Sequence, residues 1–174
     1  MIERLLFIVR ERRSRQPQVL ERVLAAVESG QVQDAIRLGQ ASTDFAVRTL
    51  VYGLTHRHRS FSDALLRAAN QELNRFKRGL PILDTIITLA PLLGLLGTVT
   101  GMIRAFGFIG GAELETPAAI TGGIAEALIA TAFGLGTAIV AVIPFNYLNA
   151  RLEDARHEIE DVSTHAELLL REPA

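Results

Sequence analysis

From Thr85 to Ile103 run 19 consecutive uncharged residues, TIITLAPLLGLLGTVTGMI. From Thr116 to Ala150 run 35 more with a single charge, Glu126. No other feature limits the possible folds as strongly. A helix needs roughly 20 apolar residues to cross the hydrocarbon core of a bilayer. The second run, at about 1.5 Å per residue, is about 50 Å long as a helix and should extend beyond the bilayer. Between them lies RAFGFIGGAELE, a short Gly-containing connection. The pattern predicts a helical hairpin of two spans over 81–150, with its loop near 104–116. The alternative is a pair of buried helices in a soluble bundle, but soluble core helices rarely lack a polar stripe for this long.

Charge is segregated along the chain. Residues 85–150 carry four charges, Arg104, Glu113, Glu115 and Glu126, while the other 108 positions carry 33. A soluble domain mixes charged and apolar residues within each element. This separation fits a membrane protein with a soluble part. Fourteen of the 18 Lys and Arg residues fall in 1–80, and the tail after Ala150 holds Arg151, Arg156 and Arg171. By the positive-inside rule the N-terminal segment and tail are cytoplasmic and the loop faces the other side. No cleavable signal peptide is evident, because the apolar stretch Leu5–Val9 is too short and follows Glu3 and Arg4.

The polar segments read as helices, so the fold class is all-α: an integral membrane hairpin whose long helices extend into a cytoplasmic helical bundle. Region 1–80 is the cytoplasmic helical part and 151–174 the helical tail. Gln18–Ser29 places Val19, Leu20, Val23, Leu24 and Val27 at helix spacing, with Gly30 as a stop. Gln33–Leu38 forms a short helix closed by Gly39. Thr43 or Asp44 caps the next, and Ser60 or Ser62 a longer one. That helix is expected to continue past Arg78 into the first span, with a kink marked by Gly79 and Pro81. Each polar piece is small, so their apolar faces are expected to pack together. Arg10, Arg12, Arg13 and Arg15 suit a lipid headgroup surface, or a solvated basic helix end equally well.

Several chemistries are excluded. The chain has no Cys, which rules out disulfides, thiolate catalysis and Cys-based zinc sites. The net charge of -1 argues against a general nucleic-acid binder. LLGLLGTVTG lacks the Lys-Ser/Thr ending of a phosphate loop. His56 and His58 do not share a helix face, and no carboxylate cluster accompanies them. His157 and His165 lie on a charged tail, and Asp84 reads as an interfacial cap. No nucleophile–base arrangement is found, so the chain is not read as an enzyme, and no cofactor or metal is implied.

Glu126 stands out as the sole ionisable residue between Glu115 and Arg151. A charged acid at the bilayer centre costs a few kcal/mol, and such residues mark ion or proton paths. The alternative is a structural carboxyl hydrogen-bonded between helices. Ala119, Gly122, Glu126, Ala130 and Thr137 share one helical face, whose small residues permit close approach of a helix or a second chain. Gly94, Gly97 and Gly101 mark a packing surface on the first span. Thr98 and Glu126 lie at depths within about 5 Å of each other in an antiparallel hairpin. Thr131 faces a neighbouring surface, about 140° round from Glu126. Both hydroxyls can serve a polar path, or bond back to their own helices.

LAPLLGLLGTVTGMIRAF, from Leu89 to Phe106, followed by GGIAEALIATAFGLGTAIVAVIPFNYL, from Gly122 to Leu148, closely resembles the TolQ/ExbB/MotA proton-channel family, nearest its ExbB and TolQ branch. The likeness is strong over 80–150 and general elsewhere. It implies an inner-membrane protein that forms a ring, usually a pentamer, around single-span partners of the ExbD or TolR type. It also implies proton flow at the ring–partner boundary, driving movement passed to TonB or TolA. In the family the acid of IAEAL and the hydroxyls of LLGTV and ATA line the path; here these are Glu126, Thr98 and Thr131. Members of this branch usually have a membrane helix before the cytoplasmic region. IERLLFIVRERR resembles the cytoplasmic flank of that helix, which leaves open a truncated sequence, a misassigned start or a two-span variant. The competing functional reading is a non-conducting membrane scaffold or adaptor, for which Glu126 would be dispensable.

Overall fold

The computed structural model describes residues 2–107 and 117–171, with side chains for 7–106 and 121–170. Most of the loop expected near 104–116, including Glu113 and Glu115, lies outside the described residues, as does the side chain of Ala119. Seven helices follow one another among the described residues: α1 (Ile2–Arg13), α2 (Pro17–Glu28), α3 (Val32–Gly39), α4 (Phe45–Thr55), α5 (Arg57–Lys77), α6 (Leu80–Gly107) and α7 (Pro117–Arg171). No strand occurs among these residues. The chain divides into two compact units, Met1–Arg78 with Leu148–Ala174, and Gly79–Tyr147.

The first unit is a helical bundle built on a small apolar core. Val23 and Val27 of α2, Ala35 of α3, and Val47, Leu50 and Leu54 of α4 are buried together with Ala166 of α7. Burying a Val or Leu side chain contributes about 1.5–3 kcal/mol, so this cluster is what makes α2, α3, α4 and the end of α7 cohere. α2 opens with Pro17 and ends before Gly30, whose φ of 74° is the left-handed conformation that glycine adopts without strain. Gly39 is not a stop beyond α3. It is the last residue of the helix, buried so closely that a Cβ would overlap Val47 and Val51.

Capping follows the side chains available. Asp44, fully buried, accepts hydrogen bonds from the backbone N–H of Ala46 at 2.9 Å and of Gln16 at 2.7 Å, and so fixes the start of α4. Ser60 is extended within α5, and its Oγ accepts from Asp63 N at 3.3 Å, so the longer part of that helix begins there. The helix does not run on into the first apolar segment. Arg78 has ψ 123° and Gly79 a φ of 91°, which ends α5 before α6 begins at Leu80.

A polar and aromatic belt completes the unit. Arg15 bridges Asp44, at 3.0 Å, and Glu158 of α7. Its guanidinium lies 4.6 Å from the ring centroid of Phe45, which meets Phe76 edge-on, as does Phe7. Burial lowers the pKa of Arg15, but its bond to Glu158 and the charge of Asp44 outweigh this and the net shift is upward. Glu11 is almost fully buried beside Arg75 and Arg48. Desolvation pushes its pKa above the usual 4.5, against the pull of those two cations.

The second unit holds α6 and the first half of α7. Both helices are long and apolar enough to cross a membrane. Only 11% and 6% of their most apolar windows are buried, unlike the core helices of a soluble protein. Leu92, Leu96, Val99, Leu128, Phe133 and Val140 all lie exposed. Pro91 and Pro144 sit inside these helices, each removing one backbone donor. Such interruptions are tolerated in membrane helices.

Candidate functional site: an acid at the edge of a glycine seam

The two apolar helices approach along a seam of small residues at helical spacing. Ala90, Gly94, Gly97, Gly101 and Ala105 of α6 meet Gly123, Ala127, Ala130, Thr131 and Gly134 of α7. A Cβ on Gly97 would stand 2.5 Å from the Cβ of Ala130, and one on Gly101 2.8 Å from that of Ala127. A Cβ on Gly134 would meet the carbonyl oxygen of Ala90 at 2.6 Å. Close backbone approach of this kind supplies the packing that holds helices together where no hydrophobic drive exists.

The expected packing glycines divide. Gly94, Gly97 and Gly101 lie in the seam. Gly122 does not, since nothing stands within 4 Å of where its Cβ would be. The close approach falls one residue on, at Gly123, whose Cβ would be 2.9 Å from that of Ala105. Gly123 and Gly134 were not singled out from sequence. The signal was present in their 3–4 residue spacing with Ala127 and Ala130, on a face adjacent to that of Glu126.

The two hydroxyls take different roles. Thr131 Oγ1 crosses the seam and donates to the carbonyl oxygen of Gly94 at 3.2 Å. Thr98 Oγ1 turns back on its own helix and donates to Leu95 O at 2.6 Å. Neither is hydrogen-bonded to Glu126.

Glu126 finds a partner that sequence reasoning placed only at the loop edge. Nη1 of Arg104 lies 3.2 Å from Glu126 Oε1, linking α6 to α7 across 22 residues of chain. Both side chains are about two-thirds exposed, at 65% and 66%. Glu126 is one residue from buried Ala127, about 100° round the helix, so it stands at the edge of the seam. Phe133, Thr137 and Val140 recur on its face at intervals near whole turns, and with Ala132 and Gly136 they line an open apolar groove of about 560 Å³. Nothing lies within 4 Å of a Cβ on Gly136. The acid, its arginine and a side of α7 left uncovered by this chain thus adjoin one another. Among the described residues no cluster of three or more potential metal ligands occurs.

Comparison with known proteins places this chain in a family. The model of the MotA/TolQ/ExbB proton channel family matches residues 40–161. An ExbB-like biopolymer transport protein of Synechocystis sp. is 39% identical over 163 residues, covering 87% of this chain and 64% of its own. A biopolymer transport ExbB homologue of Methanothermobacter thermautotrophicus is 34% identical over 162 residues, covering 91% of this chain and 57% of its own. The Tol-Pal system protein TolQ of Haemophilus influenzae is 43% identical over 89 residues, covering 51% of this chain and 39% of its own. The chain therefore spans between 39% and 64% of the length of these relatives. The family match takes in both apolar segments, Glu126 and about half of the first unit, and the chain belongs to the MotA/TolQ/ExbB proton channel family.

Proposed function

We propose that the chain is a proton-conducting subunit of a bacterial inner-membrane energy transducer, and that Glu126 carries the proton. The observation that carries this reading is the exposure of Glu126 beside Arg104 on a side of the hairpin that this chain leaves uncovered. A charged carboxylate facing hydrocarbon costs a few kcal/mol, a cost that a polar surface of another chain meeting Glu126 in the membrane removes. A ring of copies of this chain around single-span ExbD- or TolR-like partners supplies that surface, with the groove at Phe133, Gly136 and Val140 receiving an apolar helix face.

In this mechanism a proton entering from the loop side neutralises Glu126 and releases it from Arg104. The neutral side chain turns toward the partner helices. Loss of the proton toward the cytoplasm restores the ion pair. Each proton crossing about 100 mV delivers roughly 2.3 kcal/mol, which biases the packed helices toward one arrangement. Thr131 ties the seam together while Glu126 moves. Thr98 offers its oxygen lone pairs to a water on the path. The first unit faces the cytoplasm, following the excess of Lys and Arg in 1–80. A TonB- or TolA-like protein receives the movement.

The test is proton flux into vesicles that hold the chain with its single-span partner, comparing wild type with Glu126→Gln. Crosslinking establishes that both assemble equally. Loss of flux with assembly intact is expected. Equal flux in the two would remove Glu126 from the path and favour a non-conducting scaffold.

A further inference from the structure

Four arginines line one open groove in the first unit, far in sequence from the proposed path. Arg10 and Arg13 come from α1, Arg48 from α4 and Arg75 from α5, with Phe7, Glu11, Ser14 and Thr43 completing the wall. The groove encloses about 470 Å³, a size that takes a small ligand.

The charges within it do not balance. Glu11 is the one acid in the lining, and Glu72 beside it accepts from both Arg48 and Arg75 at 2.7 Å. Among the described residues, two acids stand against four arginines around this groove. The donors are also underused. Among the described residues Arg48 gives one side-chain hydrogen bond from its five N–H groups, and its Nε is buried without an acceptor. Glu11 Oε1 stands 3.9 Å from Arg48 Nη2, beyond hydrogen-bond reach. The side chains of Arg10 and Arg13 are exposed and make no ion pair or hydrogen bond among the described residues. Clustered cations repel one another, and guanidinium forks match the oxygens of a phosphoryl group in pairs.

Lipid phosphodiesters and soluble phosphate esters both carry such oxygens.

We infer that this groove binds a phosphoryl anion, held chiefly by Arg10, Arg13 and Arg48. The occupant is an anionic lipid headgroup or a soluble phosphoryl compound, and one experiment separates them. The full chain in detergent is mixed with phosphatidylglycerol, and bound lipid per chain is counted by native mass spectrometry, with and without glycerol 3-phosphate. One retained lipid per chain is expected. Retention should fall at least tenfold in the Arg10→Ala/Arg13→Ala double variant. It should hold in Arg22→Ala/Arg67→Ala, which removes the same charge from exposed sites outside the groove. Lipid that resists glycerol 3-phosphate identifies the headgroup as occupant. Displacement of the lipid, or an adduct of glycerol 3-phosphate alone, identifies the soluble phosphoryl compound. Absence of both adducts, or equal retention in the two double variants, overturns the site. Because Arg10 and Arg13 are exposed, matching thermal melts are expected for all variants, which keeps loss of binding distinct from loss of fold.

Discussion

Arg104 and Glu126, 22 residues apart, form an ion pair at 3.2 Å that joins the two apolar helices at the edge of their glycine seam. An exposed pair in water contributes little, typically 0–1 kcal/mol. In the proposed mechanism its importance is chemical, because Arg104 is the partner that Glu126 leaves when it takes up the proton.

Replacing Arg104 therefore tests the pair as part of the path. Arg104→Gln is expected to assemble as wild type does, with a displaced pH dependence of proton flux. Glu126→Gln should lose flux at every pH. A flux profile of Arg104→Gln that superimposes on the wild-type profile would sink the idea that the pair gates the proton.

The seam makes a steric prediction. Gly134→Ala forces a methyl group against the Ala90 carbonyl oxygen at 2.6 Å, a backbone atom that cannot swing aside. Overpacking of this kind costs about 1–3 kcal/mol. Gly122→Ala meets open space within the chain and should leave the hairpin unchanged. Unfolding of the two variants in detergent, compared with wild type, measures the difference. Equal losses would mean that the helices do not approach at Gly134.

In the first unit, Arg15 holds a fully buried acid. Arg15→Ala leaves Asp44 without its cation and frees Glu158 of α7. Removing one partner of a buried pair costs roughly 3–5 kcal/mol. Because Asp44 keeps its backbone donors and Arg15 is partly exposed, the low end of that range is expected. Arg37→Ala breaks only the exposed pair with Asp34 and should change stability by about 0.5 kcal/mol or less. Thermal melts of the two variants side by side decide it.

Glu11 sets a pH dependence whose sign follows from burial. Its folded pKa is raised above the ordinary 4.5, so the folded state binds this proton more tightly than the unfolded state. Its contribution is therefore greatest at low pH. It is lost as pH rises from about the ordinary value through the raised one, and it stays lost above. Glu11→Gln, which is never charged, should melt above wild type at neutral pH, with the gap closing as pH falls toward 4.5. A variant that melts below wild type at neutral pH would show that Arg48 and Arg75 outweigh the burial.

Much of this was legible along the chain because it rests on local pattern. The uncharged runs fix two helices long enough to span a bilayer, and the 3–4 spacing of Val23, Val27, Leu50 and Leu54 marks faces that must be buried. Thr43 or Asp44 and Ser60 or Ser62 were recognisable as caps, since a short oxygen-bearing side chain before an apolar run has few other uses; the hydrogen bonds fall to Asp44 and Ser60. Gly39 misled, because glycine ends helices as readily as it permits close packing, and only the neighbours Val47 and Val51 distinguish the two. Arg78 and Gly79 misled in the opposite sense. A kink was expected, whereas the positive φ of Gly79 ends one helix and begins another.

The helical class, the segregation of charge and the isolation of Glu126 follow from the order of residues alone, because hydrophobic period and charge count are properties of consecutive residues. Which residues meet is settled by how the helices pack. Arg104 pairs with Glu126, Thr131 bonds across the seam while Thr98 bonds back, and Gly123 rather than Gly122 takes the close approach. Those outcomes depend on the rotation and register of one helix against another. A turn of about 100° per residue moves a side chain from the seam to the open face, and no local preference of the chain encodes that angle.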